Sequence, residues 1–168
     1  HQHVLLSDHE EEHLALLRQQ WGRARHVQVL QLDMTVADDL RKLRPFEPDT
    51  VVFTNVLEHI EDDRAVLCNL RTQMPKGCRL VVLVPYDMKL YSTFDREVGH
   101  FRRYAKGELE RKMEEAGFVV EHQQYFNKPG RLAWFVTLKV FGQRRISPFL
   151  LRLYDKLTPL FRIWDRVI

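Results

Sequence analysis

Thr50-Val51-Val52-Phe53-Thr54-Asn55 opens a segment that runs on through a helical pattern from Asp62 to Gln73. It turns at Pro75-Lys76-Gly77 and closes with Arg79-Leu80-Val81-Val82-Leu83-Val84 before Pro85. Two continuous apolar runs on either side of a helix-length stretch read as strand, crossover helix and parallel strand, because a strand covered on both faces needs no polar alternation. Working outward from this unit, Val4-Leu5-Leu6 ends at Ser7-Asp8 and precedes a helix from His9 to Trp21, where Leu14, Leu16, Leu17 and Trp21 fall near helical spacing. Val27 to Leu32 ends at Asp33 and precedes a second helix from Val36 to Leu43. Strands alternating with helices predict an α/β fold with a doubly wound, mostly parallel sheet and right-handed crossovers.

Beyond Pro85 the rhythm changes. The loop from Tyr86 to Ala105 is long for a compact domain, and loops of that length are usually functional or disordered. Its aromatic residues Tyr86, Tyr91, Phe94, Phe101 and Tyr104 argue against disorder. A helix is predicted from Lys106 to Ala116, ended by Gly117, and Phe118 to Phe126 reads as a fifth strand. Arg152, Asp155, Lys156, Arg162 and Arg166 share one face of a last amphipathic helix, with Leu150, Leu153, Leu157, Leu160, Phe161 and Trp164 on the rest, and Pro159 is expected to kink or break it.

Of 168 residues, 45% are hydrophobic and 29% charged, and the formal net charge is +3, values of a soluble globular domain with a sizeable core. The charge is uneven: Arg131 to Ile168 carries eight basic and two acidic residues, a local +6, so the remainder is acidic at −3. Residues 1–130 are therefore read as an α/β core and 131–168 as a basic, amphipathic helical extension. Basic residues interleaved with Leu, Phe and Trp do not make the open basic surface that tracks phosphates, so no nucleic-acid partner is expected. Residues 143–168 suit a membrane surface or a partner helix instead. Cys68 and Cys78 make no disulfide framework, and no run reaches the ~20 apolar residues of a membrane span. A cytoplasmic location, with membrane association through the tail, is the expectation.

In open parallel sheets, ligands bind beyond the carboxyl ends of the strands, where helix N-termini converge. Asp8, Asp33 and Asn55 end the first three strands. An acid at a strand end can accept two hydrogen bonds from a ribose diol, and an acid on the next strand can accept one from an adenine amine; jointly the three favour a nucleotide-like ligand. Each also has a purely structural use: Asp8 with Glu11 fits a capping box and Asp33 an Asx turn. In the loop, His100 suits a general base. Arg102 and Arg103 could bind an anion or pair with Asp95 and Glu97 to pin the loop.

His9-Glu10-Glu11-Glu12-His13 also satisfies the H-E-x-x-H pattern of zinc peptidases. The extended pattern would need Gly at position 16 and His at position 19, where Leu16 and Gln19 stand. An acidic first turn is what the helix dipole favours anyway. A solvated acidic face is the preferred reading, and no metal ligand is assigned.

Asn55-Val56-Leu57-Glu58-His59-Ile60-Glu61-Asp62-Asp63 resembles the segment after the fourth strand of class I S-adenosylmethionine-dependent methyltransferases. Met74-Pro75-Lys76-Gly77-Cys78-Arg79-Leu80-Val81-Val82-Leu83-Val84-Pro85 is similar to that family's turn and fifth strand, with Cys78 where a second glycine is usual. Phe94-Asp95-Arg96-Glu97-Val98-Gly99-His100-Phe101-Arg102-Arg103-Tyr104, followed by Glu108-Leu109 and Ala116-Gly117-Phe118, is similar to a bacterial subgroup often found near glycan-assembly enzymes. The resemblance covers residues 3–130 and implies a Rossmann-like sheet with S-adenosylmethionine as cofactor. It implies that Asp8 holds the cofactor's ribose with His9 beside it, and that Asp33 faces the adenine amine with Met34 flanking. Asn55, Val56 and Leu57 would wall the methionine portion. His59, Tyr91, Asp95, Arg102, Arg103 and Tyr104 would face the acceptor, and His100 would take the acceptor's proton.

The family's first strand and Gly-rich turn should precede Asp8, yet the seven glycines include no G-x-G. The closing antiparallel strand has no clear candidate either. The sheet is therefore expected to be incomplete, as in an internal piece of a longer methyltransferase. The predicted function is methyl transfer to a small-molecule, glycan or lipid-intermediate acceptor. The alternatives are a noncatalytic α/β module docking a membrane or partner through its basic tail and, remotely, a zinc peptidase using His9, Glu10 and His13.

Overall fold

The structure is a computed structural model that describes residues 3–127, 130 and 148–167. It divides into two compact units, one of His1–Val52 with Asp62–Val81 and one of Phe53–Glu61 with Val82–Ile168. The expected boundary after residue 130 adjoins residues 131–147, which lie outside the described residues.

In the first unit, β1 (Val4–Asp8) and β2 (Val27–Gln31) pair in parallel, from Val4 opposite Val27 to Asp8 opposite Gln31. The crossover is α1 (Glu11–Trp21). Of its apolar residues Leu14 is fully buried, whereas Leu16 is 58% and Trp21 43% exposed, so the four do not make the single stripe their spacing suggested. At about 100° per residue, positions 14 and 16 point to nearly opposite sides of a helix. The helix expected over Val36 to Leu43 is instead α2 (Ala37–Leu40), continued as a 3₁₀ turn over Arg41–Phe46. Pro45 explains the tightening: it disfavours α geometry at Arg44 and offers no N–H. α3 (Asp63–Gln73) starts at Asp62, whose side chain accepts the Ala65 N–H at 2.9 Å. Val66, Leu67 and Leu70 form its buried stripe, each worth roughly 2 kcal/mol in apolar burial.

β3 (Thr50–Thr54) pairs with β4 (Arg79–Leu83) in a second two-stranded sheet. Bonds from Arg79 N to Asp49 O and from Asn55 N to Leu83 O advance together along both strands, so the pair is parallel. Gly77 supplies the positive φ of 81° that the intervening turn requires. This is a Rossmann-like α/β arrangement with an incomplete sheet. Coverage on both faces, expected from the apolar runs, is not found: Val52 is 61% and Val81 51% exposed while Phe53 is buried.

In the second unit the long loop is ordered. It carries a 3₁₀ turn at Met88–Leu90 and the short helix α4 (Thr93–Glu97), and it closes on itself through a parallel bridge between Tyr86 and Tyr104. α5 (Glu108–Glu115) follows a left-handed Gly107, whose N–H donates to the Tyr125 hydroxyl at 3.1 Å. The fifth strand expected over Phe118 to Phe126 does not form. Its alternation suits a strand, but a strand exists only through a ladder, and none of those residues joins one. α6 (Pro148–Val167) continues through Pro159, so of the kink or break expected there the break does not occur. One proline removes a single ladder bond, and the turns on either side carry the helix past it. No described helix is long and apolar enough to cross a membrane.

Candidate active site

Two groups of candidate residues lie on different units. On the first, Asp8 and Asp33 follow the paired strands β1 and β2. Asp8 Oδ1 accepts the Glu10 N–H at 3.0 Å, and Oδ2 lies 3.3 Å from His13 Nδ1. Burial by itself would raise the pKa of this carboxyl, but the Glu10 amide and the His13 and His9 rings outweigh it and hold it below 3.8. The helix cap is Glu10 with no side-chain bond, so Asp8 and Glu11 form no capping box. Asp33 does form the Asx turn, accepting from Thr35 N at 2.8 Å and Thr35 Oγ1 at 2.6 Å, both on Oδ1. Met34 follows it, half-buried, and His9 is exposed.

α1 begins at Glu11, so His9 and Glu10 precede the helix. The two imidazoles of the peptidase pattern therefore do not sit one turn apart on a helical face, and these residues form no metal-binding group among the described ones. The zinc-peptidase alternative loses its geometric basis.

On the second unit β3 delivers the chain to Asn55, which takes a left-handed φ of 52°. Asparagine tolerates that conformation better than most residues, and such positions concentrate at functional sites. Val56 is half-buried and Leu57 fully buried. Leu57–His59 then form a 3₁₀ turn that buries Glu58 and exposes His59.

The loop packs onto this turn. Phe101 N donates to Glu58 O at 2.8 Å, and an Arg102 Nη donates to Glu61 O at 2.5 Å. The rings of His59 and His100 meet edge to face with centroids 4.6 Å apart. Tyr91 donates its hydroxyl to His100 O at 2.6 Å. Asp95 is the hub. It caps α4 by accepting from Ser92 N and Oγ on Oδ2, while Oδ1 accepts Arg103 Nε at 2.8 Å and lies 3.0 Å from His100 Nδ1. Burial pushes its pKa up, but the Arg103 guanidinium, the Ser92 amide and His100 together hold it below the usual carboxylate value.

Asp95 is fully buried, and Arg103 and Tyr104 are 7% and 2% exposed. So buried, they have little surface to offer an acceptor, and the expectation that they face one is corrected: their contacts hold the loop together from inside. Arg103 pairs with Asp95, whereas Arg102 caps a backbone carbonyl.

Glu58 was not singled out by sequence reasoning. It is 0% exposed, neither carboxylate oxygen has a hydrogen-bond partner, and desolvation raises its pKa to about 7 against the pull of its own backbone amide and of Arg103. Its signal was a lone acid in a turn otherwise buried on one side. Burial and the neighbouring His100 push the His59 pKa down, opposed by the Gly99 backbone. The ligating atoms of Glu58, His59 and His100 all lie within 4.8 Å of one another.

A family model described as a methyltransferase domain matches residues 6–123. Among solved structures, the chain is similar to a candidate methyltransferase from Bacillus halodurans C-125, with 21% identity and a TM-score of 0.57 over 72% of this chain and 55% of that one. That likeness shows the fold, and the chain spans about half the length of that relative. No curated protein matches it.

Proposed function

Because the chain belongs to the methyltransferase-domain family, we propose that it serves methyl transfer from S-adenosylmethionine to a hydroxyl-bearing small-molecule, glycan or lipid-intermediate acceptor. The observation that carries this reading is the Asp95–His100 pair beside Glu58 and His59. With Nδ1 held by Asp95, His100 keeps Nε2 for the acceptor's proton, and the buried carboxylate stabilises the imidazolium that forms. The exposed His59 and the loop residue Arg102 orient the acceptor, while Tyr91 holds the His100 backbone.

For the cofactor, the donor chemistry fits. Asp8 ends β1 and Asp33 lies two residues beyond the adjacent parallel β2, and a carboxylate has about four acceptor sites. Asp33 spends only Oδ1 on its Asx turn. Asp8 with His9 would hold the ribose and Asp33 with Met34 the adenine. The bound sulfonium supplies an already activated methyl group, so the chain's own work is alignment and proton removal.

The test is calorimetric titration of S-adenosylmethionine into the full coding product and its Asp8→Ala and Asp33→Ala variants. Binding weakened at least tenfold in each variant supports the reading; no binding by the parent, or equal binding by all three, overturns it. A membrane-surface contact is a second reading for α6, on which Phe149, Leu153 and Leu160 are 72%, 44% and 61% exposed. Flotation with anionic liposomes, lost on deletion of residues 148–168, is its expected outcome.

A further inference from the structure

We propose that Glu58, His59 and His100 form a binding site for a divalent transition cation of the zinc class, with Asp95 as the partner that orients His100. Two independent observations carry it. The three ligating atoms lie within 4.8 Å of one another, and Glu58 is fully buried with both oxygens lacking a hydrogen-bond partner. A buried carboxylate with no partner is costly, and a cation supplies the missing charge and bonds together.

The ligand set defines the cation. Two imidazoles and one carboxylate suit zinc, cobalt, iron or manganese, whereas magnesium and calcium prefer oxygen alone. Ligand atoms around a four-coordinate zinc are about 3.4 Å apart at bond lengths near ~2.1 Å, so the group must contract by roughly 1.4 Å at its widest. His59 is exposed and adjoins Glu58 on the same 3₁₀ turn, which leaves its ring room to rotate.

The supporting contacts are those that metal-binding histidines commonly have. His100 Nδ1 lies 3.0 Å from Asp95 Oδ1, which fixes the ring and leaves Nε2 as its nitrogen for a metal. Arg103 is the nearby cation that would oppose a metal, and its charge is met by Asp95 at 2.8 Å.

Three protein ligands leave a coordination position open. An acceptor hydroxyl entering it would release its proton more readily, to solvent on the exposed His59 side, whereas in the unloaded protein His100 Nε2 accepts that proton. This consequence rests on the methyl-transfer reading, whereas cation binding itself does not.

The experiment titrates Zn²⁺ calorimetrically, and Co²⁺ by visible absorption, into the full chain. The variants are Glu58→Gln, His59→Ala and the double variant His26→Ala/His122→Ala at two exposed histidines, each checked for its fold by circular dichroism. One cation per chain is expected, with affinity at least tenfold weaker in Glu58→Gln and in His59→Ala and unchanged in the double variant. His59 is exposed, so its variant keeps the test sound even if Glu58→Gln unfolds. No stoichiometric binding, or binding that survives both substitutions, overturns the proposal. S-adenosylmethionine titrated into the same samples separates the two readings: intact cofactor binding without cation binding overturns the cation site alone.

Discussion

Oδ1 of Asp95 lies 3.0 Å from His100 Nδ1 and accepts Arg103 Nε at 2.8 Å, so one buried oxygen serves both a candidate reactive ring and a buried cation. Ser92 occupies the other oxygen through its N–H and hydroxyl. The carboxylate is therefore fully used within the protein. It fixes the loop and the orientation of His100 together, which couples the site's precision to the stability of this segment.

Asp95→Ala removes the buried carboxylate that Arg103, His100 and Ser92 share and should cost about 3 kcal/mol or more. Urea denaturation is the measurement. If the charge imbalance is the cause, Asp95→Ala/Arg103→Met recovers a large part of the loss, because two buried charges are then removed together. A double variant no more stable than the single one would show that the capping of α4 matters more than the ion pair.

Glu58 gives a pH signature opposite to that of Asp95. Its folded pKa of about 7 lies above the unfolded value of 4.5, so the native state holds the extra proton between those values. Stability from this group is full below pH 4.5, is lost as pH rises toward 7, and stays lost above. With divalent cations chelated, Glu58→Gln should match the parent near pH 4.5 and exceed it at pH 8 by on the order of 2 kcal/mol. Equal denaturation midpoints at pH 8 would contradict the burial-driven shift.

The β–α–β unit from Thr50 to Leu83 was legible because local signals agreed: apolar runs, an N-cap at Asp62 and a positive-φ turn at Gly77. Strand ends were legible for the same reason, and Asp8, Asp33 and Asn55 lie at or just beyond them. What local pattern could not decide was pairing and direction. Residues 118–126 alternate as a strand does yet join no ladder, and Leu16 counted as apolar without being on the buried side of α1. The Glu58–His59–His100 group was hidden because its assembly depends on a long-range bond, from Phe101 N to Glu58 O, across more than forty positions of chain. Periodicity carries no information about such a bond.

Asp8 should show ordinary acid linkage. Its pKa is held below 3.8 in the fold, so the stability it contributes is present above the unfolded pKa and is lost as pH falls through the lower folded value. Asp8→Ala should cost about 1 kcal/mol at pH 5. The parent and variant should converge as pH falls below 3.8. A gap that persists in acid would mean that packing, not the carboxylate's bond to the Glu10 amide, is what the substitution removes.

Tyr91 separates holding from binding. Its hydroxyl donates to the His100 carbonyl at 2.6 Å in a part-buried setting, so Tyr91→Phe should cost about 1 kcal/mol of stability. The kinetic consequence depends on which task the hydroxyl performs in the proposed methyl transfer. A group that contacts the acceptor equally in ground and transition states changes KM when removed, whereas one that positions a proton acceptor changes kcat. Since the hydroxyl is already committed to the His100 backbone, Tyr91→Phe is expected to lower kcat with KM nearly unchanged. A raised KM at constant kcat would return Tyr91 to direct acceptor contact, the role first expected from the sequence.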